Sequence, residues 1–178
     1  MKEVLRALFI GRFQPFHLGH LGAVKWILER VEELVIGIGS AQYAYMPKNP
    51  FTAGERLLMI HRSLKAEGLV HRVMTTLIPD TDSVHALWPA YVEMCSPTFS
   101  KVYSNDPLTL MLMRDYGYEA EEVPLIDRSR LSGTYVRSLM AKGDESWREL
   151  VPKPVAEVID AIDGEKRVQR IYQLHGLV

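Results

Sequence analysis

Two histidines lie three residues apart where a strand-like segment gives way to a helix-like one. His17 and His20 follow an apolar run at residues 4–10 and open a helical pattern over residues 18–30. Residues at this spacing share one face of a helix, so both imidazoles can reach one ligand. Neutral imidazole hydrogen-bonds to phosphate, and the start of a helix attracts anions through its unpaired N–H groups. The stretch therefore predicts a phosphate-binding turn.

The same two imidazoles could instead form half of a metal site. No matching pair of cysteines or histidines follows at zinc spacing, and phosphate binding by imidazole needs no metal. We therefore favour a phosphate ligand and predict no metal ligands among the side chains. Gly19 supports this interpretation, because a residue without a side chain lets a ligand approach the backbone.

A second candidate phosphate site lies in the C-terminal third of the sequence. Ser132 is placed to cap a helix, and Gly133 leaves the backbone open behind it. Thr134 adds a hydroxyl, and Arg137 lies one turn further along, from where its guanidinium can reach back to an anion. The alternative is an ordinary capped helix with a solvated arginine. The presence of the first site favours the phosphate interpretation.

Residues 11–20, GRFQPFHLGH, resemble the HxGH signature of the nucleotidyltransferase superfamily, and with their flanks they are similar to archaeal-type nicotinamide-mononucleotide (NMN) adenylyltransferases. Two further stretches match the same family. Residues 49–56 are similar to the NPFTAGER segment of the family, and residues 132–137 match the family's second phosphate motif, SxTxxR. The three lie in the family's order, and the resemblance runs from about Leu8 to Lys166.

The resemblance implies transfer of AMP from ATP to NMN, giving NAD and pyrophosphate, with Mg²⁺ or another divalent cation accompanying ATP. The family commonly forms multimers such as hexamers, so a homo-oligomer is expected. By the same resemblance the catalytic residues are His17, His20 and Arg137. The residues implied to bind the phosphates of ATP are Gly11, Arg12, Phe13, Gly19, Ser132 and Thr134. The residues implied to bind NMN are Ser40, Gln42, Lys48, Asp82 and Trp88.

Some of the positions around the implied NMN site differ from the family pattern or have a second interpretation. Family members often have arginine where Lys48 stands and asparagine where His85 stands, so these contacts differ in this chain. Lysine keeps the charge but loses the two-pronged hydrogen bonding of arginine. Trp88 is implied to stack on the nicotinamide ring, whereas without the resemblance it would be an ordinary core aromatic.

The sequence contains none of the common signatures of a protein nucleophile or of another phosphate loop. It lacks a G-x-S-x-G elbow, a paired cysteine and histidine, and a G-x-x-x-x-G-K-[ST] loop. An ionised phosphate ester can itself attack a triphosphate, so alignment and charge neutralisation are sufficient for catalysis. Two alternatives stay open: adenylyl or cytidylyl transfer to phosphopantetheine or a phosphoalcohol, and a nucleotide sensor without turnover.

Strand-like and helix-like segments alternate along the chain about every thirty residues, without hairpin signals between the strands. The predicted strands are residues 4–10, 34–39, 70–79, 101–104 and 119–124. This pattern predicts the α/β class: a doubly wound parallel five-stranded sheet, Rossmann-like, with a C-terminal helical segment. We predict a nucleotidyltransferase domain at residues 1–144, on which the helices of residues 145–178 pack.

One further helix start and one loop can be predicted in detail. Thr52 and Glu55 form a capping box at the start of the second helix, which leaves the following Arg56 as a solvated charge. Residues 43–50, with two prolines, predict a mobile surface loop.

Composition limits the class of protein. The 178 residues suffice for one core, and the formal net charge of −1 argues against binding nucleic acid through a general basic surface. Cys95 is the only cysteine, which excludes an internal disulfide and suits the cytoplasm. No apolar stretch approaches the roughly 20 residues that cross a bilayer, and Glu3 and Arg6 interrupt any signal peptide.

Overall fold

The structure, a computed structural model, describes residues 5–124 and 130–177. Within these residues, five parallel strands form one sheet in the order β3-β2-β1-β4-β5. The strands are β1 at Arg6–Gly11, β2 at Glu33–Ile38, β3 at Val73–Leu77, β4 at Lys101–Tyr103 and β5 at Glu119–Glu121. The predicted five-stranded parallel sheet is confirmed. Val4, the predicted start of the first strand, lies outside the described residues.

Seven α-helices lie in the described residues. They are α1 at Leu18–Leu28, α2 at Ala53–Ala66, α3 at Trp88–Cys95, α4 at Pro107–Asp115, α5 at Gly133–Lys142, α6 at Lys153–Ala161 and α7 at Gly164–Leu174. Thr52 and Ser132 cap α2 and α5 through their side chains, as predicted. None of these helices is long and apolar enough to pass through a membrane.

The described residues form two compact units, each built from three separate stretches of chain. The sheet unit contains residues 5–12, 23–41 and 69–124, and the helical unit contains residues 13–22, 42–68 and 130–177. The predicted boundary after residue 144 falls within the helical unit. The helix α1 begins in the helical unit and ends in the sheet unit.

The sheet unit buries one face of the sheet under α3 and α4. Its strands contribute Leu8, Ile10, Val35, Val102 and Ala120, and the two helices contribute Val92, Leu110 and Met113. The chain runs from β1 to β3 on one side of β1 and through β4 and β5 on the other, which is the doubly wound order predicted. In such sheets ligands bind beyond the carboxyl ends of the strands, where the order reverses.

The helical unit packs α2 against α6 and α5 against α7. One prediction about α2 is wrong: Arg56 is fully buried and not a solvated charge. Its Nε donates a hydrogen bond to the carbonyl of Thr52 at 3.3 Å. A helical side chain leans toward the helix N-terminus, which brings this guanidinium to the carbonyl of the cap.

Candidate active site

His17 and His20 bind each other across the start of α1. The N–H of His17 donates to Nδ1 of His20 at 3.2 Å, and the N–H of His20 donates to Nδ1 of His17 at 3.3 Å. The two rings stack with their centroids 3.5 Å apart. This is the reciprocal pattern of a capping box, with imidazole nitrogens in place of the usual oxygens. The three-residue spacing therefore serves the helix start, and its role in binding a ligand stays a prediction.

The same hydrogen bonds determine where each imidazole carries its proton. Because Nδ1 accepts a hydrogen bond in both rings, the proton of each neutral ring lies on Nε2. Burial and the charge of Arg137 lower the pKa of His17 to about 4. Burial, followed by the neighbouring His17, lowers the pKa of His20 well below its ordinary value. At neutral pH the pair therefore presents two Nε2–H donors without a positive charge.

Two phenylalanines hold the ring of His20. Phe13 meets it edge-on with centroids 4.8 Å apart, and Phe16 stacks on it at 5.6 Å. Both phenylalanines are fully buried. Phe13, which the resemblance assigns to phosphate binding, thus has its side chain in the core, so any contact with phosphate would come from its backbone. The backbone of Phe13 has a positive φ of 52°.

Two glycines allow the first predicted phosphate site to lie directly against the second. A Cβ on Gly19 would lie 3.1 Å from the ring of His17 and 3.2 Å from Cβ of Leu131, just before α5. A Cβ on Gly133 would lie 3.0 Å from the carbonyl oxygen of Gln14. Contacts this short are closer than side chains normally tolerate, so both positions favour glycine. The starts of α1 and α5 are therefore neighbours in the helical unit.

Arg137 ties three separate stretches of the helical unit together. Its Nη1 donates to the carbonyl of Gln14 at 2.7 Å, and its Nε donates to the carbonyl of Pro47 at 3.1 Å. Its Nη2 donates to Oγ1 of Thr134 at 3.3 Å. Only 4% of Arg137 is exposed, so the alternative of a solvated arginine is excluded. The guanidinium places a positive charge where the two helix starts meet.

The remaining predicted phosphate ligands are divided between the two units. Oγ of Ser132 accepts the N–H of Tyr135 at 3.2 Å and so caps α5. Thr134 is exposed beside Arg137. In the sheet unit, the carbonyl of Gly11 accepts the N–H of Gly39 at 2.9 Å, and Arg12 is exposed at the end of β1.

The predicted NMN ligands are divided between the two units. In the sheet unit, Ser40 is buried and donates its hydroxyl to Oδ2 of Asp80 at 2.7 Å, whereas Asp82 is exposed. In the helical unit, Gln42 and Lys48 are both exposed.

Trp88 occupies the core of the sheet unit. It is the first residue of α3, is 8% exposed, and packs with Ile78 and Val92. This is the environment of a core aromatic residue. Its stacking on a nicotinamide ring stays a prediction.

Gln14 is a site residue that the sequence interpretation missed. It is buried, its Nε2 donates to the carbonyl of Phe51 at 2.9 Å, and its Oε1 accepts the N–H of Phe51 at 3.0 Å. The backbone carbonyl of Gln14 accepts a hydrogen bond from Arg137. Gln14 therefore connects residues 14–20, here called the histidine turn, to the NPFTAGER segment and to α5. A polar residue enclosed by Phe13, Pro15 and Phe16 was the available signal, because a buried amide requires a partner.

The segment at residues 43–50, predicted as a mobile surface loop, has internal hydrogen bonds and a buried residue. It contains no helix or strand, but Met46 and Asn49 exchange two backbone hydrogen bonds. Asn49 is 8% exposed, and its Oδ1 has no hydrogen-bond partner among the described residues. Buried polar atoms are normally paired, so this amide is a further candidate ligand group that the sequence did not reveal.

The described residues contain no group of three or more His, Cys, Asp or Glu side chains arranged for a metal ion. Magnesium is often held by one or two carboxylates together with substrate phosphates and water. The chemistry of the site therefore fits an ion that arrives with a triphosphate.

Comparisons with known proteins identify the family. The cytidylyltransferase-like family model matches residues 8–139. A nicotinamide-nucleotide adenylyltransferase from Thermoplasma volcanium is 48% identical over 167 residues, covering 93% of this chain and 92% of that protein. A bifunctional NMN adenylyltransferase/ADP ribose pyrophosphatase from Francisella tularensis shares the fold, with a TM-score of 0.75 at 20% identity over 94% of this chain and 53% of that one. The same Francisella enzyme, complexed with AMP and a manganese ion, gives a TM-score of 0.73 at 20% identity over 95% and 52%. This chain thus spans about half of the Francisella protein, and at this identity the likeness concerns the fold alone.

The identity of 48% to a curated relative shows the family. The parallel sheet and the meeting of two helix starts at Arg137 are consistent with it. The chain belongs to the nicotinamide-nucleotide adenylyltransferases of the cytidylyltransferase-like family.

Proposed function

We propose that this protein transfers AMP from ATP to NMN, giving NAD and pyrophosphate. The observation that supports this most directly is the meeting of two helix starts at one buried guanidinium. Arg137 of α5 binds the carbonyl of Gln14, three residues before His17, at 2.7 Å. Each helix start favours anions, and together they suit a ligand with several phosphates.

The residues of the helical unit supply hydrogen bonds and charge to the triphosphate. His17 and His20 donate through Nε2–H, and we rank His20 first because two buried aromatic rings fix its orientation. Arg137, with Ser132 and Thr134, neutralises charge at the far end of the triphosphate. In the sheet unit, Gly11 and Arg12 contribute further phosphate contacts.

The reaction requires no protein nucleophile. An oxygen of the NMN phosphate attacks the α-phosphorus of ATP, and the bond from that phosphorus to the β-phosphate oxygen breaks. The electron pair leaves with pyrophosphate, and no proton has to be removed from the attacking group. The site therefore acts by alignment and by stabilising charge on the transition state.

We propose that a divalent cation, with Mg²⁺ as the expected ion, accompanies ATP. The Francisella relative complexed with AMP and a manganese ion supports use of a divalent cation. When bound, such an ion neutralises phosphate charge. No metal-binding cluster lies in residues 5–124 and 130–177, so phosphate oxygens and water would hold the ion.

The acceptor site is proposed to include Ser40, Gln42, Lys48, Asp82 and Trp88. We also propose that the protein forms a homo-oligomer such as a hexamer and that it is located in the cytoplasm.

The test is to incubate the purified protein with ATP, Mg²⁺ and one acceptor at a time. NMN, deamidated NMN and phosphopantetheine are compared, and CTP with a phosphoalcohol forms a further arm. We expect NAD and pyrophosphate in equal amounts, measured by mass and by pyrophosphate release. ATP binding without pyrophosphate would instead identify a sensor, and turnover only in another arm would identify a different transferase.

A further inference from the structure

Arg167 of α7 makes a two-pronged ion pair with Glu55 near the start of α2. Nη1 of Arg167 lies 2.7 Å from Oε2 of Glu55, and Nη2 lies 2.9 Å from Oε1. The side chains of Arg167 and Glu55 are only 16% and 18% exposed. Burial raises the pKa of Glu55, but the hydrogen bonds from Arg167 and Thr52 outweigh it, so the net pKa is lowered. Shielded fork-like pairs of this kind fix geometry better than exposed ion pairs do.

The same guanidinium holds the chain on the N-terminal side of α2. Nη1 of Arg167 also donates to the carbonyl of Pro50 at 3.4 Å, and its guanidinium carbon lies 4.7 Å from the ring centroid of Tyr45. Glu55 in turn accepts the N–H of Thr52 at 2.9 Å. Arg167 therefore contacts residues 45–55, here called the clamp segment, at its beginning, middle and end.

The clamp segment provides the acceptors and donors that hold the candidate active site. The carbonyl of Pro47 accepts Nε of Arg137, and both backbone groups of Phe51 bind the side chain of Gln14. Between these two points lies the Pro50 carbonyl that Arg167 contacts. A continuous series of contacts thus joins α7 to the start of α5 and to the histidine turn.

We propose that Arg167 is a positioning residue that fixes the clamp segment so that Pro47 and Phe51 hold Arg137 and Gln14 in the geometry required to bind the triphosphate. This inference rests on the proposed function for its ligand. It assigns α7 a part in the active site, whereas the sequence pattern of α7 predicts a covering helix or a subunit contact and no part in the chemistry. In this role Arg167 acts through its contacts with the clamp segment and not by binding substrate itself.

The first experiment replaces Arg167 with alanine and with lysine. Lys166→Ala is the matched control, because Lys166 lies next to Arg167 on α7 but is exposed and pairs with Asp163. ATP binding is measured by calorimetry without acceptor, and kcat/KM for ATP is measured at a temperature where circular dichroism shows every variant folded. We expect Arg167→Ala to weaken both by about tenfold or more, since small misplacements of positioned groups have large effects. Arg167→Lys should be intermediate, and Lys166→Ala should stay close to the parent.

The second experiment asks whether the effect passes through Arg137. Arg167→Ala is combined with Arg137→Lys, and the loss of ATP affinity is compared in the two backgrounds. We expect little further loss once Arg137 is replaced, because residues that act through one network are not additive. If Arg167→Ala reduced ATP affinity by the same factor in both backgrounds, the role of Arg167 would be merely structural and the inference would be overturned.

Glu55→Gln provides an independent variant if Arg167→Ala does not fold. Its amide oxygen can still accept the Thr52 N–H, so the helix cap is kept while the charge pair is lost. The same loss of ATP affinity is expected, again only when Arg137 is present. Absence of NAD formation by the parent protein would refute the proposed function, and ATP binding would still test the positioning. A parent that makes NAD, with Arg167→Ala equal to Lys166→Ala, would refute only the inference about Arg167.

Discussion

At the scale of single residues, the site depends on keeping two adjacent imidazoles neutral. Each accepts a backbone N–H at Nδ1, and the guanidinium of Arg137 further disfavours a charge on His17. Protonation at Nδ1 would break one of these hydrogen bonds and introduce repulsion with the neighbouring ring. The proposed function requires the pair to donate hydrogen bonds to phosphate, and this arrangement would orient both donors before a ligand binds, as in preorganised catalytic groups.

His20→Ala tests the role of the imidazole donor. We expect kcat to fall by about 10²- to 10³-fold, as when one preorganised donor is removed from other active sites. His61→Ala is the control, because His61 is an exposed imidazole on α2. Steady-state rates and far-ultraviolet circular dichroism are compared for both variants. A folded His20→Ala protein with near-parental kcat would contradict the assigned role.

The lowered pKa of His17 predicts a dependence of stability on pH. Burial, followed by the charge of Arg137, lowers this pKa from 6.5 to about 4 in the folded protein, whereas the unfolded chain keeps the ordinary value. The stability that the neutral form of His17 contributes to the folded protein is therefore fully present above about pH 6.5. It is lost as pH falls toward about 4, because the unfolded state takes up the proton first. The free energy of unfolding should decrease by up to about 3 kcal/mol across this range.

Urea denaturation at several pH values measures this decrease. His17→Asn is the comparison, since asparagine can still cap α1 but does not titrate. We expect a shallower pH dependence in the variant, and parallel curves for the two proteins would refute the assignment.

At the scale of elements, local signals predicted the helix starts well. The capping box of Thr52 and Glu55 and the cap formed by Ser132 each depend on residues only a few positions apart, so both can be recognised in the sequence. The third strand was less well predicted: it begins at Val73 and not at residue 70. Arg72 explains the difference, because its guanidinium binds the carbonyls of Leu28, Val31 and Glu32, and residues 70–72 form a short 3₁₀ turn.

The same distinction between local and distant contacts applies to the site. The two predicted phosphate motifs were visible because each occupies one turn of chain. The partners of Arg137 were not visible, because Gln14 and Pro47 lie 123 and 90 residues away in the sequence. The burial of Trp88 and Arg56 likewise depends on which helices cover them, and no short pattern encodes that.

Gly133→Ala tests whether the close approach of the starts of α1 and α5 matters for binding. Its Cβ would lie 3.0 Å from the Gln14 carbonyl and 3.0 Å from Nη1 of Arg137, so α5 or the turn must shift. We expect ATP affinity to fall by about tenfold or more, because the positioned donors are displaced.

Gly54→Ala is the matched control in α2, since nothing lies within 4 Å of its Cβ position. Alanine there should leave ATP affinity unchanged and stabilise the protein by up to about 1 kcal/mol. Calorimetric titration with ATP and thermal denaturation give both quantities. Equal ATP affinities in the two alanine variants would show that the contact at Gly133 is not important for binding.

At the scale of the whole molecule, both compact units are assembled from three stretches of chain, so a single cut cannot separate them. The chain is also nearly neutral, with a formal net charge of −1. Its affinity for an anion must therefore come from groups gathered at one place, such as Arg137 with the two helix starts, and not from the average charge.

Truncation after residue 144 tests whether the C-terminal helices are part of one cooperative structure. Removing residues 145–178 takes α6 from α2 and α7 from α5, and it removes the buried apolar side chains of these helices: Val155, Val158, Ile159, Val168 and Ile171. Each such side chain contributes about 1.5–3 kcal/mol when fully buried, so their sum is comparable to the usual stability of a domain.

We therefore expect residues 1–144 to lack a cooperative thermal transition and to bind a hydrophobic dye. Truncation after Leu174 is the control, since it leaves α6 and α7 complete and Leu174 is already 79% exposed. That shorter change should leave the transition within a few degrees of the parent, because it removes little buried surface. A sharp transition and native near-ultraviolet circular dichroism for residues 1–144 would instead show that the α/β region folds independently of α6 and α7.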